Sequence, residues 1–435
     1  MPPGAVSQAA TEESAALMRD WMLHHLHEDG RMSYLWLPSL DVEGDGNNMI
    51  RQWMATNALI EIAQREDDPE LWARVAQNID YNLEHFYRQE GELGIIQYAS
   101  TVKLGAMSLA ALAIINHPER ARWQTQEHAL RRTIASLWSE SGEFTLYYRP
   151  RHKRDNAANF YPGETLLLWS QLYAETRDPE LLRRYEASYR FYRTWHLDPA
   201  NRRPAFVPWH SRASVAMWRV LGEEAPTPTD ATGETGEGEG EAGEGQTPPP
   251  TPDAPEAGPA GGPEAEGKAE RTPEGWPVGT APESPSGLTR AELAEWVFTI
   301  NDWLIDEMAV WDEALYDDEK GRFYTRKKNY GIPHASATGV FMEGLVDAYV
   351  LAGELGDQLH AERYRRTLAR ALRSVMQLQY VDEVDLYYVV DREAARGGLR
   401  TSIFHNDIRV DNVQHVLMGV LDLLEVFGPD DYSTQ

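Results

Sequence analysis

Apolar residues recur along this chain with the spacing of α-helices, and the helices they indicate are of two alternating kinds. One kind carries its charges on one face, as in the segment that starts at Leu181, and this is typical of a helix with one side in solvent. The other kind, such as 105–115, is apolar around most of its circumference, as expected of a helix buried on several sides. The pattern therefore predicts an outer and an inner layer of helices.

The two kinds of helix belong to a unit that occurs six times: an amphipathic helix, a short extended stretch and a more apolar helix. Pro69, Pro118 and Pro179 each mark the predicted start of an outer helix. Proline is common there, because the N–H group that it lacks would have no partner within the helix. Six such hairpins predict an all-α (α/α)6 toroid with short β-like connectors. The predicted outer helices lie near 12–27, 70–89, 120–139, 180–196, 288–309 and 359–378, the inner helices near 48–65, 101–116, 161–177, 209–222, 336–355 and 411–427, and the extended stretches at 30–35, 94–98, 142–148, 203–207, 321–324 and 386–390.

Residues 223–287 interrupt the helical pattern. This segment has 15 acidic residues against two basic ones, and it holds 13 of the 26 prolines. Such a composition cannot bury enough apolar surface to offset the entropy of ordering it. We therefore predict a disordered acidic insert, with 1–222 forming four hairpins and 288–435 the two that close the same toroid. Two independent helical domains are the alternative, but the second would then have only two hairpins and exposed apolar faces.

Charge and composition narrow the classes of protein that this chain can belong to. Its 435 residues carry a formal net charge of −28, which should repel nucleic acids and anionic membranes. It has no cysteine, which excludes disulfides, thiolate catalysis and cysteine-bound zinc. No window is apolar for long enough to span a membrane, and no secretory signal is visible at the N-terminus. These features predict a cytoplasmic protein, and they leave the partner of the insert unknown.

The arrangement of six hairpins with inner and outer helices resembles the six-hairpin glycosidase-like superfamily of α/α toroids. That superfamily includes glycoside hydrolases, polysaccharide lyases and sugar 2-epimerases. The resemblance covers nearly all of the chain outside the insert, and it rests on the number of hairpins and on the character of their helices. It implies an enzyme whose substrate is a small carbohydrate, bound in a central funnel.

Inner helices of such a ring all begin at one face, so the residues at their starts should converge on that funnel. Glu164 and Asp411 belong to the third and sixth inner helices and should therefore face each other across it. A carboxylic acid and a carboxylate on opposite sides of a glycosidic bond are what glycoside hydrolysis requires. The alternative is structural: Asp411 caps its helix, and Glu164 interacts with the dipole of its own.

Three histidines, His210, His334 and His415, lie at the starts of the fourth, fifth and sixth inner helices. Imidazoles that meet in one funnel can abstract a proton from a carbon next to a carbonyl, as an epimerase or isomerase requires. A lone histidine is otherwise most often a core residue. The histidines lack zinc-protease spacing, and no phosphate-binding or dinucleotide motif is present. We therefore predict neither a metal nor a cofactor.

Further residues near the inner helix starts have side chains that suit sugars. Aromatic rings can stack on pyranoses, amides can bind hydroxyl groups, and basic residues can bind the carboxylate of an acidic sugar. The alternatives are core packing for the aromatic residues and ion pairs with neighbouring acids for the basic ones. The predicted substrate-binding residues are Asn48, Arg51, Lys103, Tyr161, Trp209, Arg212, Asn412 and Gln414.

The first functional hypothesis is a glycoside hydrolase that acts on an oligosaccharide or a uronate-containing glycoside, with Glu164 and Asp411 as its carboxylates. A second is a sugar 2-epimerase or isomerase that uses histidines as acid and base. A third, from another class, is a toroid without catalytic activity that binds a glycan or a protein.

Overall fold

A computed structural model describes residues 6–153, 156–222, 287–314, 316–325 and 334–435. The predicted insert lies outside the described residues, apart from Gly287. None of the described helices has both the length and the apolar character that a membrane span requires. The described helices are α1 (Gln8–His24), α2 (Met49–Glu66), α3 (Pro69–Phe86), α4 (Leu104–Ile115), α5 (Gln124–Ser136), α6 (Tyr161–Thr176), α7 (Pro179–Leu197), α8 (Phe206–Gly222), α9 (Arg290–Met308), α10 (Ala335–Glu354), α11 (Gln358–Met376), the single turn α12 (Arg392–Ala395) and α13 (Val410–Val426).

Six of these helices form a closed inner ring. Each of α2, α4, α6, α8, α10 and α13 packs against the next, and α13 packs against α2. Every residue of α4 is buried, as its apolar sequence predicts. Helices α1, α3, α5, α7, α9 and α11 lie outside this ring and precede the inner helices along the chain. The predicted (α/α)6 toroid is therefore confirmed.

The extended connectors form two small antiparallel sheets, and not all of them lie where they were predicted. One sheet contains β1 (Leu35–Leu37), β2 (Val42–Glu43) and β7 (Ile408–Arg409), in the order β2-β1-β7. The other contains β3 (Tyr87–Glu90), β4 (Leu93–Tyr98), β5 (Thr101–Lys103) and β6 (Tyr147–Arg149), in chain order. Residues 203–207 and 386–390 form no strand: the first run ends inside α8, and the second is a series of turns. Those two predictions were wrong.

Helix α8 begins at Phe206, three residues before the predicted start. Pro208 interrupts the apolar pattern there and suggests a later beginning. Proline is nevertheless compatible with the first turn of a helix, because the N–H groups of that turn have no partner within the helix.

Glycines in left-handed turns let the connectors lie directly against neighbouring outer helices. Gly30, with φ of +88°, lies so close to α3 that a Cβ would overlap the carbonyl oxygen of Gln77. Gly397, with φ of +86°, makes the same approach to Leu17 in α1. Only glycine tolerates both this conformation and this distance. The second of these contacts joins the last hairpin to the first helix of the ring.

The assignment of 1–222 and 288–435 to one folding unit stays a prediction, and it can be tested with fragments. Helix α10 packs on α8, and α13 packs on both α1 and α2, so each fragment alone would expose apolar helix faces. We expect neither fragment to unfold cooperatively, whereas the whole chain shows one transition. Urea unfolding followed by circular dichroism measures this. Two independent cooperative transitions from the separate fragments would contradict it.

Candidate active site

A cavity of about 520 Å³ lies at the end of the ring where the inner helices begin. All six inner helices contribute residues from their first turns or from the residues just before them. Its volume falls within the range of about 300–1,000 Å³ that is usual for small-molecule sites. Nine of the predicted site residues line it: Asn48, Arg51, Lys103, Tyr161, Glu164, Trp209, His334, Asp411 and His415. The structure thus brings these side chains together, and their roles stay predictions.

Glu164 contributes a buried carboxyl group to this cavity. The residue is 1% exposed, and its Oε2 has no hydrogen-bond partner among the described residues. Burial raises the pKa of Glu164 to about 8, against the opposing charge of Lys103. Gly105 in α4 makes room for the carboxyl group, because a Cβ at that position would overlap Oε2. Glu164 is therefore a neutral acid at neutral pH, able to donate and to accept a hydrogen bond.

Asp411 is held in the opposite charge state. Burial by itself would raise its pKa, but hydrogen bonds from Arg409 and the charge of Arg51 lower it overall. Arg409 donates from Nε to Oδ1 (2.6 Å) and from Nη2 to Oδ2 (2.8 Å), and Arg51 Nε lies 2.9 Å from Oδ2. Both carboxylate oxygens are thus bound by guanidinium groups. Asp411 orients two arginines at the rim of the cavity and is poorly placed to accept a proton.

His334 stands immediately before α10 and caps that helix. The backbone N–H of Ala337 donates to its Nδ1 (3.2 Å), so in the neutral ring the proton is on Nε2. Burial lowers the pKa of His334 to about 4, and the positive charges of Arg409 and Arg51 contribute. His334 is therefore a neutral hydrogen-bond donor at physiological pH.

His415 forms a dyad with a glutamate that the sequence analysis did not select. Its Nδ1 lies 2.7 Å from Oε1 of Glu343, a residue of α10 with no exposed surface. A carboxylate can only accept, so Nδ1 carries the proton and the neutral ring keeps Nε2 as an acceptor. This is the orientation in which an acidic partner prepares an imidazole to act as a base.

Four predicted residues are not part of the cavity lining: His210, Arg212, Asn412 and Gln414. His210 is 2% exposed and stacks on Phe206, with ring centroids 3.6 Å apart. Successive residues of a helix are about 100° apart, so Trp209 faces the cavity while the next residue turns towards the outer layer. Burial lowers the pKa of His210 well below its usual value, so it is a neutral core residue.

The other three lie deeper in the ring or to the side of α13. Arg212 is one helical turn beyond Trp209 and binds Glu343. Asp411 and His415, four residues apart, share the face of α13 that lines the cavity, whereas the residues between them point away from it. Asn412 donates to Thr401 Oγ1 (2.8 Å), and Gln414 is completely buried. We therefore withdraw these three residues from the set expected to touch substrate.

Several lining residues were missed by the sequence analysis. Two of them are basic, Arg203 and Arg409, and they add to the positive charge of Arg51 and Lys103. Among the described residues, the lining has two acids, and because Glu164 is neutral, Asp411 is the one that is charged. Asn156, Asn159 and Phe160 come from the loop before α6. The sequence analysis also overlooked Glu343, which is not on the lining but contacts His415. Its charge in the middle of an apolar helix was the signal that could have identified it. The described residues include no cluster of three acidic or histidine side chains that suits a metal ion.

No protein-family model matches this chain, and no curated protein matches it in sequence. Solved structures do resemble it. D-mannose isomerase superimposes with a TM-score of 0.59 at 9% identity, over 97% of this chain and 98% of that one. The GH76A α-1,6-mannanase from Salegentibacter sp. HEL1_6 gives 0.57 at 10% identity, over 95% and 99%. Unsaturated glucuronyl hydrolase from Bacillus sp. GL1 gives 0.54 at 15%, over 96% of each chain. All three are six-hairpin glycosidase-like toroids, so the resemblance stated above is confirmed for the fold.

Proposed function

We propose that this protein is a carbohydrate-active enzyme of the toroid superfamily, and specifically an aldose–ketose isomerase that works by proton transfer. The observation that carries the proposal is the Glu343–His415 dyad at the wall of the cavity, with Nδ1 of His415 bound and Nε2 left as an acceptor. The similarity of fold to D-mannose isomerase is compatible with isomerisation. The similarity to the mannanase is equally compatible with glycoside hydrolysis. The choice therefore rests on the side chains.

In the proposed reaction, His415 removes the proton from C2 of an open-chain aldose. The electron pair of the C–H bond moves to form an enediolate, whose negative charge lies on the former carbonyl oxygen O1. Delivery of a proton from the protonated His415 to C1 completes the transfer, and this proton can exchange with solvent before it is delivered. Glu343 stabilises the imidazolium that exists between these two steps, as a buried acidic partner does in other histidine dyads.

The oxygens of the substrate also need a donor and an acceptor. A neutral His334 donates from Nε2 to the developing charge on O1 without being a strong acid, since its pKa is lowered to about 4 by burial. The neutral carboxyl of Glu164 can accept the proton of the O2 hydroxyl while giving its own to O1. The atoms then balance, because one proton moves between carbons and one between oxygens.

The charge of the cavity supports a substrate with an acidic group. Arg51 and Arg409 share the negative charge of Asp411, and Lys103 and Arg203 lie on the same lining. Arginine binds a carboxylate through two parallel hydrogen bonds. A uronate or another acidic aldose is therefore preferred over a neutral sugar of the same size.

Exchange of carbon-bound hydrogen tests the reaction. We expect the protein in D2O to incorporate deuterium at C2 of its aldose and at C1 of the ketose product, because the base exchanges its proton with solvent between the two transfers. A panel of neutral and carboxylate-bearing aldoses, followed by proton NMR and by analysis of ketose formation, measures this. Acidic members are expected to react faster than matched neutral ones.

A second candidate, glycoside hydrolysis, is supported by the same Glu164, whose burial and raised pKa also suit a general acid. Its difficulty is Asp411, the other predicted carboxylate, whose oxygens are bound by Arg409 and Arg51. Release of reducing sugar from glycosides, without deuterium incorporation and with loss of activity in Glu164→Gln, would replace the isomerase proposal with this one.

A further inference from the structure

A chain of short polar contacts runs from the candidate base towards the opposite end of the ring. Glu343 uses Oε1 for Nδ1 of His415 and Oε2 for Arg212, whose Nη1 donates over 2.5 Å. Glu343 has no exposed surface, and the side chain of Arg212 is 19% exposed. Each oxygen of this buried carboxylate therefore has one dedicated partner.

Arg212 makes this contact from outside the cavity described above. It lines a second, smaller cavity of about 170 Å³ further along the middle of the ring. Trp209 and Met54 line both cavities and lie where the two adjoin. His415 lines the larger cavity and Arg212 does not.

Acidic groups from three other inner helices lie around Arg212. Helix α2 contributes Glu61, α10 contributes Glu343 and Asp347, and α13 contributes Asp422. Arg212 lies 3.7 Å from Asp347 and 3.9 Å from Asp422, so its short contact is the one with Glu343. Burial alone would lower the pKa of Arg212, but these acids raise it overall, and it stays charged.

We propose that Arg212 is a positioning residue: it holds Oε2 of Glu343, so that Oε1 faces His415 and keeps the His415 proton on Nδ1. The proposal rests on the proposed function in one respect, namely that His415 is the catalytic base. Arg212 can only donate hydrogen bonds. The side-chain atom of residue 343 that faces Arg212 must therefore be a hydrogen-bond acceptor, whether that residue is glutamate or glutamine.

Replacing Glu343 by glutamine makes this role visible. A glutamine has one oxygen and one NH2 group where glutamate has two oxygens. If Arg212 controls the orientation, the oxygen of Gln faces Arg212 and the NH2 group faces His415. Nδ1 of His415 must then accept, so its proton moves to Nε2 and the ring can no longer take a proton from substrate there. In the double variant Arg212→Met/Glu343→Gln no donor at residue 212 holds the amide oxygen, so the amide can turn and the Nδ1–H form is populated again.

The tautomer of His415 can be measured directly, without any sugar. We expect nitrogen-15 NMR of histidine-labelled protein to show the proton of His415 on Nδ1 in the wild type and on Nε2 in Glu343→Gln, and to show the Nδ1–H form reappearing in the double variant. The His415 signal is identified by its loss in His415→Asn. Asp347→Asn is the matched control, since it removes a neighbour of Arg212 that does not touch Glu343, and it should leave the tautomer unchanged.

Either of two results overturns the proposal: Nδ1 keeps its proton in Glu343→Gln, or the double variant retains the Nε2–H form. The single variant is nearly isosteric and decides the question even if the double variant does not fold. Where a substrate is known, Glu343→Gln should lose about 10²- to 10⁴-fold in rate, the usual worth of a general base. The double variant should recover part of that loss, a result that a merely structural Arg212 would not produce. If the isomerase proposal fails, the NMR result stands independently of it.

Discussion

Replacing His415 by asparagine is expected to lower the rate of carbon-hydrogen exchange by about 10²- to 10⁴-fold, the range in which a general base contributes. Asparagine retains a polar side chain in the first turns of α13 but cannot take up a proton. KM should change much less than kcat, because the imidazole acts on the C2 proton and contributes little to holding the rest of the sugar. Steady-state kinetics together with deuterium incorporation measures both quantities.

His405→Asn provides the control for this substitution. His405 is an exposed histidine in the loop before β7, where it bonds to the hydroxyl of Ser402, and it is not part of the cavity lining. We expect that variant to keep wild-type kinetics, and both variants to keep the wild-type circular dichroism spectrum. An His415→Asn protein that retains exchange within a factor of about ten, well short of the contribution of a general base, would exclude His415 from this role.

Acid is expected to reduce the contribution that a buried stack of two histidines and a phenylalanine makes to the stability of the protein. Phe206 lies between His196 and His210, with centroid distances of 4.0 Å and 3.6 Å. Burial lowers the pKa of His196 to about 3 and lowers that of His210 well below its usual value. Both rings therefore stay neutral in the folded protein at pH values where histidines of the unfolded chain, with a pKa near 6.5, are protonated.

The sign of the effect follows from these proton affinities. Below about pH 6.5, and for His196 down to about pH 3, the unfolded chain binds more protons at these positions than the folded one, so their contribution to the free energy of unfolding falls as the pH falls. From pH 7 to pH 5 the loss is on the order of 2 kcal/mol for His196, and His210 adds a loss of the same sign. Glu164 and Asp347 act in the opposite direction, because burial raises their pKa values to about 8 and about 6.

A variant without these histidines separates their contribution to the pH dependence of stability from that of the buried acids. In His196→Phe/His210→Phe the stack keeps its aromatic packing but loses its titratable groups. We expect the difference in unfolding free energy between this variant and the wild type to move in favour of the variant by at least about 2 kcal/mol between pH 7 and pH 5, by the same linkage. Urea unfolding at each pH measures that difference. A difference independent of pH would show that these histidines are not neutral in the folded protein.

The periodicity of the chain was sufficient to predict the ring, because a helix buried on several sides needs neighbours all round it. Six such helices, each preceded by an amphipathic one, leave few other arrangements. The same reasoning placed Glu164, His334, Asp411 and His415 in one cavity, since the inner helices of a toroid begin at a common face. Their positions required only the approximate starts of the helices.

The sequence pattern did not predict which face of a helix each side chain occupies. In α8, Trp209 faces the cavity, whereas the adjacent His210 packs on Phe206. Each residue turns the helix by about 100°, so an error of one position moves a side chain to another face. The extended connectors at 203–207 and 386–390 were mispredicted for a related reason, because short runs with strand-like composition also suit turns and helix starts.

The sequence by itself determined the class of fold, the common face on which the inner helices begin and the kinds of side chain that gather there. Only the tertiary structure decided the charge states and partners of those side chains. Glu343 and His415 are 72 residues apart along the chain, and Arg212 is 131 residues from Glu343. Their contacts exist because α8, α10 and α13 pack side by side in the ring. The pKa of a carboxyl or imidazole depends on burial and on neighbouring charges, and both arise from chain segments that only folding brings together.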